Sequence, residues 1–212
     1  MTDRTTALPA TIPLFPLPDV VLFPLMPLPL HIFEPRYRHM VREALEGPRM
    51  IGMVLLRPGW ENDYYGRPAI YPVGCAGRIE QDQALPDGRY NILLKGLTRF
   101  RVREERPGGS YRLAEVDPAP EGPDQPNDLD AARRRLQEAS RESDPVLLVS
   151  APSVLPHEAF LNALCHSLSL SAAEKQSLLE CDYLLERYTR LTQILDFHRL
   201  ERTFGTRAST TH

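Results

Sequence analysis

The chain has 212 residues, 42% of them apolar and 25% charged, an ordinary globular mixture long enough for one large domain or two small ones. Its 28 acidic residues against 25 basic ones leave a net charge of −3, which gives no global case for a nucleic-acid or membrane partner. Three widely spaced cysteines (Cys75, Cys165 and Cys181) with no Cys-x-x-Cys pair exclude a zinc ribbon and read as small buried thiols of a reducing compartment.

Residues 1–11 read as a disordered lead. From Ile12 to Pro24 the chain is apolar but punctuated by prolines at 13, 16, 18 and 24, with Pro29 and Pro35 following. Prolines at this density forbid a long helix and leave short extended pieces joined by turns. They also break any signal-peptide core, and the apolar stretch is too short to span a bilayer, so the expected location is the cytoplasm.

Helix punctuation then appears. Pro35 suits a first helical position and Glu34 the positive helix start, and Tyr37, Met40, Val41, Ala44 and Leu45 follow at helical spacing until Gly47-Pro48. Strand-like runs succeed it at 49–56, 75–80, 90–96, 98–103 and 111–116, with Gly96 expected to interrupt one strand and Pro86-Asp87-Gly88 to form a turn. Between the first two runs lies a loop, residues 57–68, that holds Trp60, Tyr64 and Tyr65.

The texture changes at 117–128, which is rich in proline and acid and reads as a stiff solvated linker. Beyond it the pattern is helical. Arg133-Arg134-Arg135 sits on a polar helix, and Phe160, Leu161, Leu164 and Leu168 make an apolar stripe. Ser171-Ala172-Ala173-Glu174 is a capping box, and Leu184, Tyr188, Leu191 and Leu195 mark a long final helix. Strands followed by helices imply separate layers, hence an α+β chain divided into a lead 1–11, a β lobe 12–117, a linker 118–128, a helical lobe 129–205 and a tail 206–212.

Several of these segments, taken together, resemble the Lon protease N-terminal (substrate-binding) domain family, in particular its stand-alone bacterial versions. The matching stretches are Pro-Leu-Phe-Pro-Leu at 13–17, Val-Val-Leu-Phe-Pro at 20–24, Leu-Pro-Leu-His-Ile-Phe-Glu-Pro-Arg-Tyr at 28–37 and Ile-Gly-Met-Val at 51–54. Val-Gly-Cys-Ala-Gly-Arg-Ile at 73–79, Leu-Pro-Asp-Gly-Arg-Tyr-Asn-Ile-Leu-Leu-Lys-Gly at 85–96 and Glu174-Lys175-Gln176 continue the likeness. The resemblance implies a PUA-like β pseudo-barrel with one inserted helix, then a C-terminal helical bundle, and a role in recognising polypeptides rather than cleaving them. With the chain ending at His212, neither the ATPase nor the Ser-Lys protease domain of full Lon is expected.

The chemistry visible in the residues agrees. No Gly-Lys dipeptide occurs, so no Walker A loop can cradle a nucleotide. The only lysines, Lys95 and Lys175, read as exposed cations rather than as half of a Ser-Lys dyad, and His31 and His39 as satisfied or exposed rather than metal ligands. Glu104 and Glu105 should point to opposite strand faces, which is poor geometry for shared acid–base work. No enzyme activity, cofactor or metal is therefore expected.

For binding, Trp60, Tyr64 and Tyr65 could clamp an apolar peptide segment, with Glu34, Arg36 and Arg38 as a charged rim. The competing reading is a loop that folds back and buries Trp60 as a plug, with a solvated helix end. Arg99, Arg101 and Arg103 alternate along one strand as an alternative anion-binding face for RNA, against a bland solvated face balanced by neighbouring acids. The expected partners are unfolded or apolar polypeptide segments, held in a groove between the lobes, together with a protease or chaperone machine. Nucleic acid is disfavoured.

Overall fold

Prolines decide where the first strands can lie. In the computed structural model, which describes residues 8–107, 109–143 and 155–208, β1 (Thr11–Leu17) pairs antiparallel with β6 (Arg112–Pro118) only over Thr11–Leu14, and parallel with β3 (Met50–Leu55) only over Leu14–Leu17. Pro13 and Pro16 thus each stand in a half of β1 with one partner strand, where a missing N–H costs no ladder bond. The prolines of β2 (Pro27–Ile32) are tolerated for the same reason: β2 is an edge strand, paired only with β5 (Tyr90–Arg106).

The six strands run in the order β2-β5-β4-β3-β1-β6, where β4 is Val73–Ala84. Because β5 also pairs with β6, five of them close into a ring and β2 extends from it. Closure needs bent strands, and the register shifts at Ala76/Gly77, Ile79/Gln81 and Val102/Glu104 supply the bends. Inside the ring Ile12, Leu14, Val54, Ala76, Phe100, Ala114 and Val116 form one core. The Phe100 ring fits there because Gly74 has no side chain: a Cβ at that position would lie 2.7 Å from the ring and 2.4 Å from the Met53 carbonyl oxygen.

Helix α1 (Pro35–Glu46) begins with Pro35 in its first turn and stops at Gly47, as its punctuation dictates. Its buried face, Tyr37, Met40, Val41 and Ala44, packs with Phe15, Ile51, Met53, Ile79 and Leu94 into a second core. Each large side chain so buried is worth roughly 1.5–3 kcal/mol.

Gly96 does not break a strand. β5 is continuous across it, and the glycine instead lets the 23–26 turn approach: Leu25 donates to the Gly96 carbonyl and Gly96 donates to that of Met26, both at 2.9 Å. A Cβ there would fall 2.1 Å from the Phe23 carbonyl oxygen. The expected disordered lead is also corrected where it is described. The Ala10 carbonyl accepts from Val116, and Leu8 packs on the ring core. Residues 1–7 of that lead, and 209–212 of the tail, lie outside the described residues.

Two compact units divide between Pro120 and Glu121. The second contains α2 (Pro126–Ser143), α3 (His157–Ser167), α4 (Ala172–Leu179) and α5 (Leu184–Ala208). α2 packs along α5, and α3 and α4 also touch α5. The core holds Leu136, Phe160, Leu161, Leu164, Leu178, Leu179, Tyr188 and Leu191. The capping box forms as expected: Glu174 donates its backbone N–H to Ser171 Oγ, and the Glu174 carboxylate accepts from the Ser171 N–H at 2.7 Å.

The solvated linker expected at 118–128 is corrected within this unit. α2 already starts at Pro126, and Asp124 accepts from the Leu184 N–H at 2.8 Å, acting as a cap for α5 from a distant stretch of chain. Glu121 pairs with Arg187 at 2.8 Å. Arg187 is fully buried and also donates to the Leu178 carbonyl (2.9 Å), Asn162 Oδ1 (2.8 Å) and the Cys181 carbonyl (3.4 Å). All three cysteines are buried, and burial pushes the Cys165 thiol up to about 12, so it stays protonated.

Candidate functional site

The loop between β3 and β4 is closed at its base by backbone. Arg57 donates to the Ala69 carbonyl at 2.8 Å, Tyr71 donates to that of Leu55 at 2.9 Å, and Leu56 bridges Ile70. A 3-10 turn, Trp60–Asp63, forms its tip and is followed at once by Tyr64 and Tyr65. Gly66 donates to the Asp63 carbonyl, and Arg67 N–H to Asp63 Oδ2 at 3.2 Å, which turns the chain back toward β4.

Helix α1 holds the aromatic residues in place. The Tyr64 hydroxyl donates to Glu34 Oε1 at 2.6 Å, and Arg36 Nε donates to the other carboxylate oxygen at 3.0 Å. The Arg36 guanidinium lies 4.6 Å from the Tyr37 ring centre, 5.0 Å from Tyr64 and 5.8 Å from Tyr65. Burial alone would lower its pKa, but Tyr37, Glu34 and Tyr64 around it outweigh burial and hold it above the usual value. Burial and the bond to Glu34 raise the Tyr64 phenol, so it remains a donor.

Trp60 and Tyr64 meet edge-on at 5.5 Å, and Tyr64 and Tyr65 at 5.2 Å. The outcome lies between the two sequence readings. Trp60 is half-buried, not a sealed plug, whereas Tyr65 is 87% exposed. The exposed aromatic of the loop is therefore Tyr65, which packs on Tyr64, itself packed on Trp60.

A cleft of about 250 Å³ opens next to Tyr65. Arg36, Tyr37, Arg67, Tyr111 and Arg112 are among its walls. Arg112 is 8% exposed, donates to both carboxylate oxygens of Glu105 at 2.7 and 2.5 Å, and donates to the Pro68 carbonyl at 2.8 Å. Tyr111 donates to Glu43; burial and that bond push its phenol up to about 12.

Of the six residues expected from the sequence, Trp60, Tyr64, Tyr65, Glu34 and Arg36 come together. Arg38 does not. Its side chain lies over Gly88 and lines a separate hollow of about 290 Å³ with His39, Arg42 and Tyr90. The sequence reading missed Arg67, Tyr111 and Arg112. Arg112 takes a buried position of β6 alongside Ala114 and Val116, a place where alternation along a strand gives no reason to expect a charge.

The basic stripe also needs correction. Arg99 is 1% exposed and donates to the Pro120 carbonyl at 3.3 Å. Arg103 is paired with Asp117 and Glu115. Arg101 is exposed, but three cations in a row on one open face do not result. Arg133 likewise turns inward: it lies 4.0 Å over the Phe160 ring and donates to the Leu155 carbonyl, which breaks up the 133–135 patch.

The helical unit has a roomier furrow of about 430 Å³ between α2 and α5, lined by Ala131, Ala132, Leu185, Tyr188 and Thr192 among others. Its large aromatic, Tyr188, is buried and so offers no exposed anchor comparable to Tyr65. Lys175 donates to the His166 carbonyl at 3.1 Å and Lys95 pairs with Glu80 at 3.5 Å. Among the described residues no group of three His, Cys, Asp or Glu side chains could hold a metal, and no helix is long and apolar enough to cross a membrane.

Comparison with known proteins bears on the fold and the family. The family model for the ATP-dependent protease La (Lon) substrate-binding domain matches residues 11–196. Lon protease 2 of Desulfotalea psychrophila is 30% identical over 191 residues, covering 86% of this chain and 24% of that protein. Lon protease of Cytophaga hutchinsonii is 29% identical over 203 residues, covering 89% and 24%. The chain thus spans about a quarter of the length of these relatives.

A crystal structure of a Lon N-terminal domain protein from Xanthomonas campestris superposes with a TM-score of 0.60 at 28% identity, covering 88% of this chain and 97% of that one. The N-terminal domain of Mycobacterium avium complex Lon protease gives 0.69 at 16% identity over 89% and 99%, a likeness of fold alone. The fold is therefore that of Lon N-terminal domains: an α+β chain with a PUA-like pseudo-barrel, one inserted helix and a C-terminal helical bundle. With a family model covering nearly its whole length, the chain belongs to the Lon substrate-binding domain family.

Proposed function

We propose that this chain binds unstructured, apolar polypeptide segments and acts by binding alone, with no covalent step of its own. One observation carries the reading: Tyr65 stands 87% exposed on a loop whose base and underside are fixed by backbone bonds and by the Glu34–Tyr64–Arg36 cluster. A large aromatic costs little conformational entropy to immobilise, and one already pinned by its neighbours costs less still. The family to which the chain belongs is described as substrate-binding, which supports a polypeptide as the occupant. On this reading the chain is a cytoplasmic adaptor that presents captured segments to a protease or chaperone machine. The RNA-binding alternative is left without its arginine face, because Arg99 is buried and Arg103 is paired with acids.

The test is the affinity of the purified chain for a reduced, alkylated protein that cannot refold, measured by fluorescence anisotropy. Tyr65→Ala should weaken binding by at least ~1 kcal/mol, about fivefold, a loss that only a minority of interface residues cause when truncated. Trp60→Ala should weaken it by a similar amount by removing the support beneath Tyr64. Unchanged affinity in both variants would remove the loop from the site.

A further inference from the structure

The cleft beside Tyr65 has walls that gripping an apolar chain does not require. Three arginines, Arg36, Arg67 and Arg112, line it, and among the described residues no Asp or Glu does. Glu34 and Glu105, which pair with Arg36 and Arg112, are not among the cleft's lining residues and occupy only part of each fork. A guanidinium carries five N–H donors. Arg36 uses Nε on Glu34 and one terminal nitrogen on the Tyr64 carbonyl, and Arg112 uses its three nitrogens on Glu105 and Pro68, each terminal nitrogen keeping a second hydrogen.

Tyr37 completes the set. It is 3% exposed overall, and it lines the cleft. The charges of Arg36 and Arg112 both act on this phenol, and burial raises its pKa, so it keeps its proton and can donate. A pocket of donors with surplus cationic forks suits a planar anion that accepts two or more hydrogen bonds.

We propose that this cleft captures a carboxylate of the bound polypeptide, next to the apolar residue that Tyr65 and Trp60 hold. The inference rests on the polypeptide-binding reading and narrows its substrate class to segments in which an aromatic or aliphatic residue adjoins an acid. That acid can be an Asp or Glu side chain or the chain-terminal carboxylate; the chemistry is the same.

The experiment uses the full chain and four labelled, unstructured peptides with one apolar core. One has a free C-terminus beside the aromatic residue and one is its amide; the third is amidated with Asp beside the aromatic, and the fourth has Asn in its place. Anisotropy should show at least one acid-bearing peptide binding about tenfold more tightly than its neutral counterpart, as expected of a charge-assisted, partly buried pair. The pair that shows the difference identifies the source of the carboxylate. Arg67→Gln and Tyr37→Phe should each cut that preference at least about threefold, and salt should erode it. Tyr37→Phe removes a single oxygen and keeps the buried ring, so its circular dichroism should match that of the parent.

Acid and neutral peptides binding equally, or a preference that survives both variants, would overturn the carboxylate pocket. Neutral-peptide binding lost in Tyr65→Ala would still support the polypeptide reading in that case. Failure of all four peptides to bind would contradict both.

Discussion

Arg187 offers the sharpest stability prediction. Replacing it with Met keeps an unbranched chain in place but removes a fully buried guanidinium that serves Glu121, Asn162 and the carbonyls of Leu178 and Cys181. Glu121 would keep its negative charge with only a sixth of its side chain exposed, and the other three acceptors would lose this donor. Breaking a buried ion pair by removing one member costs about 3–5 kcal/mol. For a unit of roughly 90 residues, at about 5 °C per kcal/mol, Arg187→Met should lower the melting temperature of the helical signal by roughly 15–25 °C. Circular dichroism at a helix-sensitive wavelength measures it. Arg190→Met is the control. It lies on the same helix with its side chain 38% exposed and paired with Glu186, so it should cost less than about 1 kcal/mol. An Arg187 variant that melts within a few degrees of the parent would refute the idea that this guanidinium organises the helical unit.

Two further outcomes follow from local geometry. Gly96→Ala should strongly destabilise the β unit, because its Cβ would meet the Phe23 carbonyl oxygen, a backbone atom that cannot swing away; urea unfolding followed by Trp60 fluorescence would register it, and a neutral result would contradict the close approach. Glu174 gives a pH signature. Burial would raise its pKa, but the Ser171 hydroxyl and amide and His198 together hold it below the usual carboxylate value, so its contribution to stability is present above about pH 4.5 and is lost as pH falls through the lowered pKa. Glu174→Gln should flatten the acid limb of the stability–pH curve, and an unchanged limb would show that the capping-box carboxylate is not coupled to folding.

Features encoded by neighbours in the chain could be read without the structure. Pro35 and Gly47-Pro48 bound a helix through their own backbone restrictions, Ser171 and Glu174 form a cap within one turn, and aromatics between Gly and Pro mark the 57–68 loop. What escaped were buried charges. Arg99, Arg112 and Arg187 are interior because Pro120, Glu105 and Glu121 reach them from elsewhere in the chain, and periodicity carries no record of a distant partner. Gly96 was misread for a related reason: the turn it admits comes from the Phe23–Met26 stretch, far away in sequence. Tyr37 was legible as a core residue of α1, but its place in the cleft wall was not, because Arg67 and Arg112 complete that wall from two other segments.

The central claim is that the chain holds a polypeptide and returns it unchanged. Purified chain mixed with a labelled, permanently unfolded protein should give saturable, reversible binding that weakens when Tyr65 and Trp60 are both replaced by Ala, and mass spectrometry should recover the bound protein intact after hours of incubation. Cleaved or modified polypeptide, or binding indifferent to the loss of both aromatics, would contradict it.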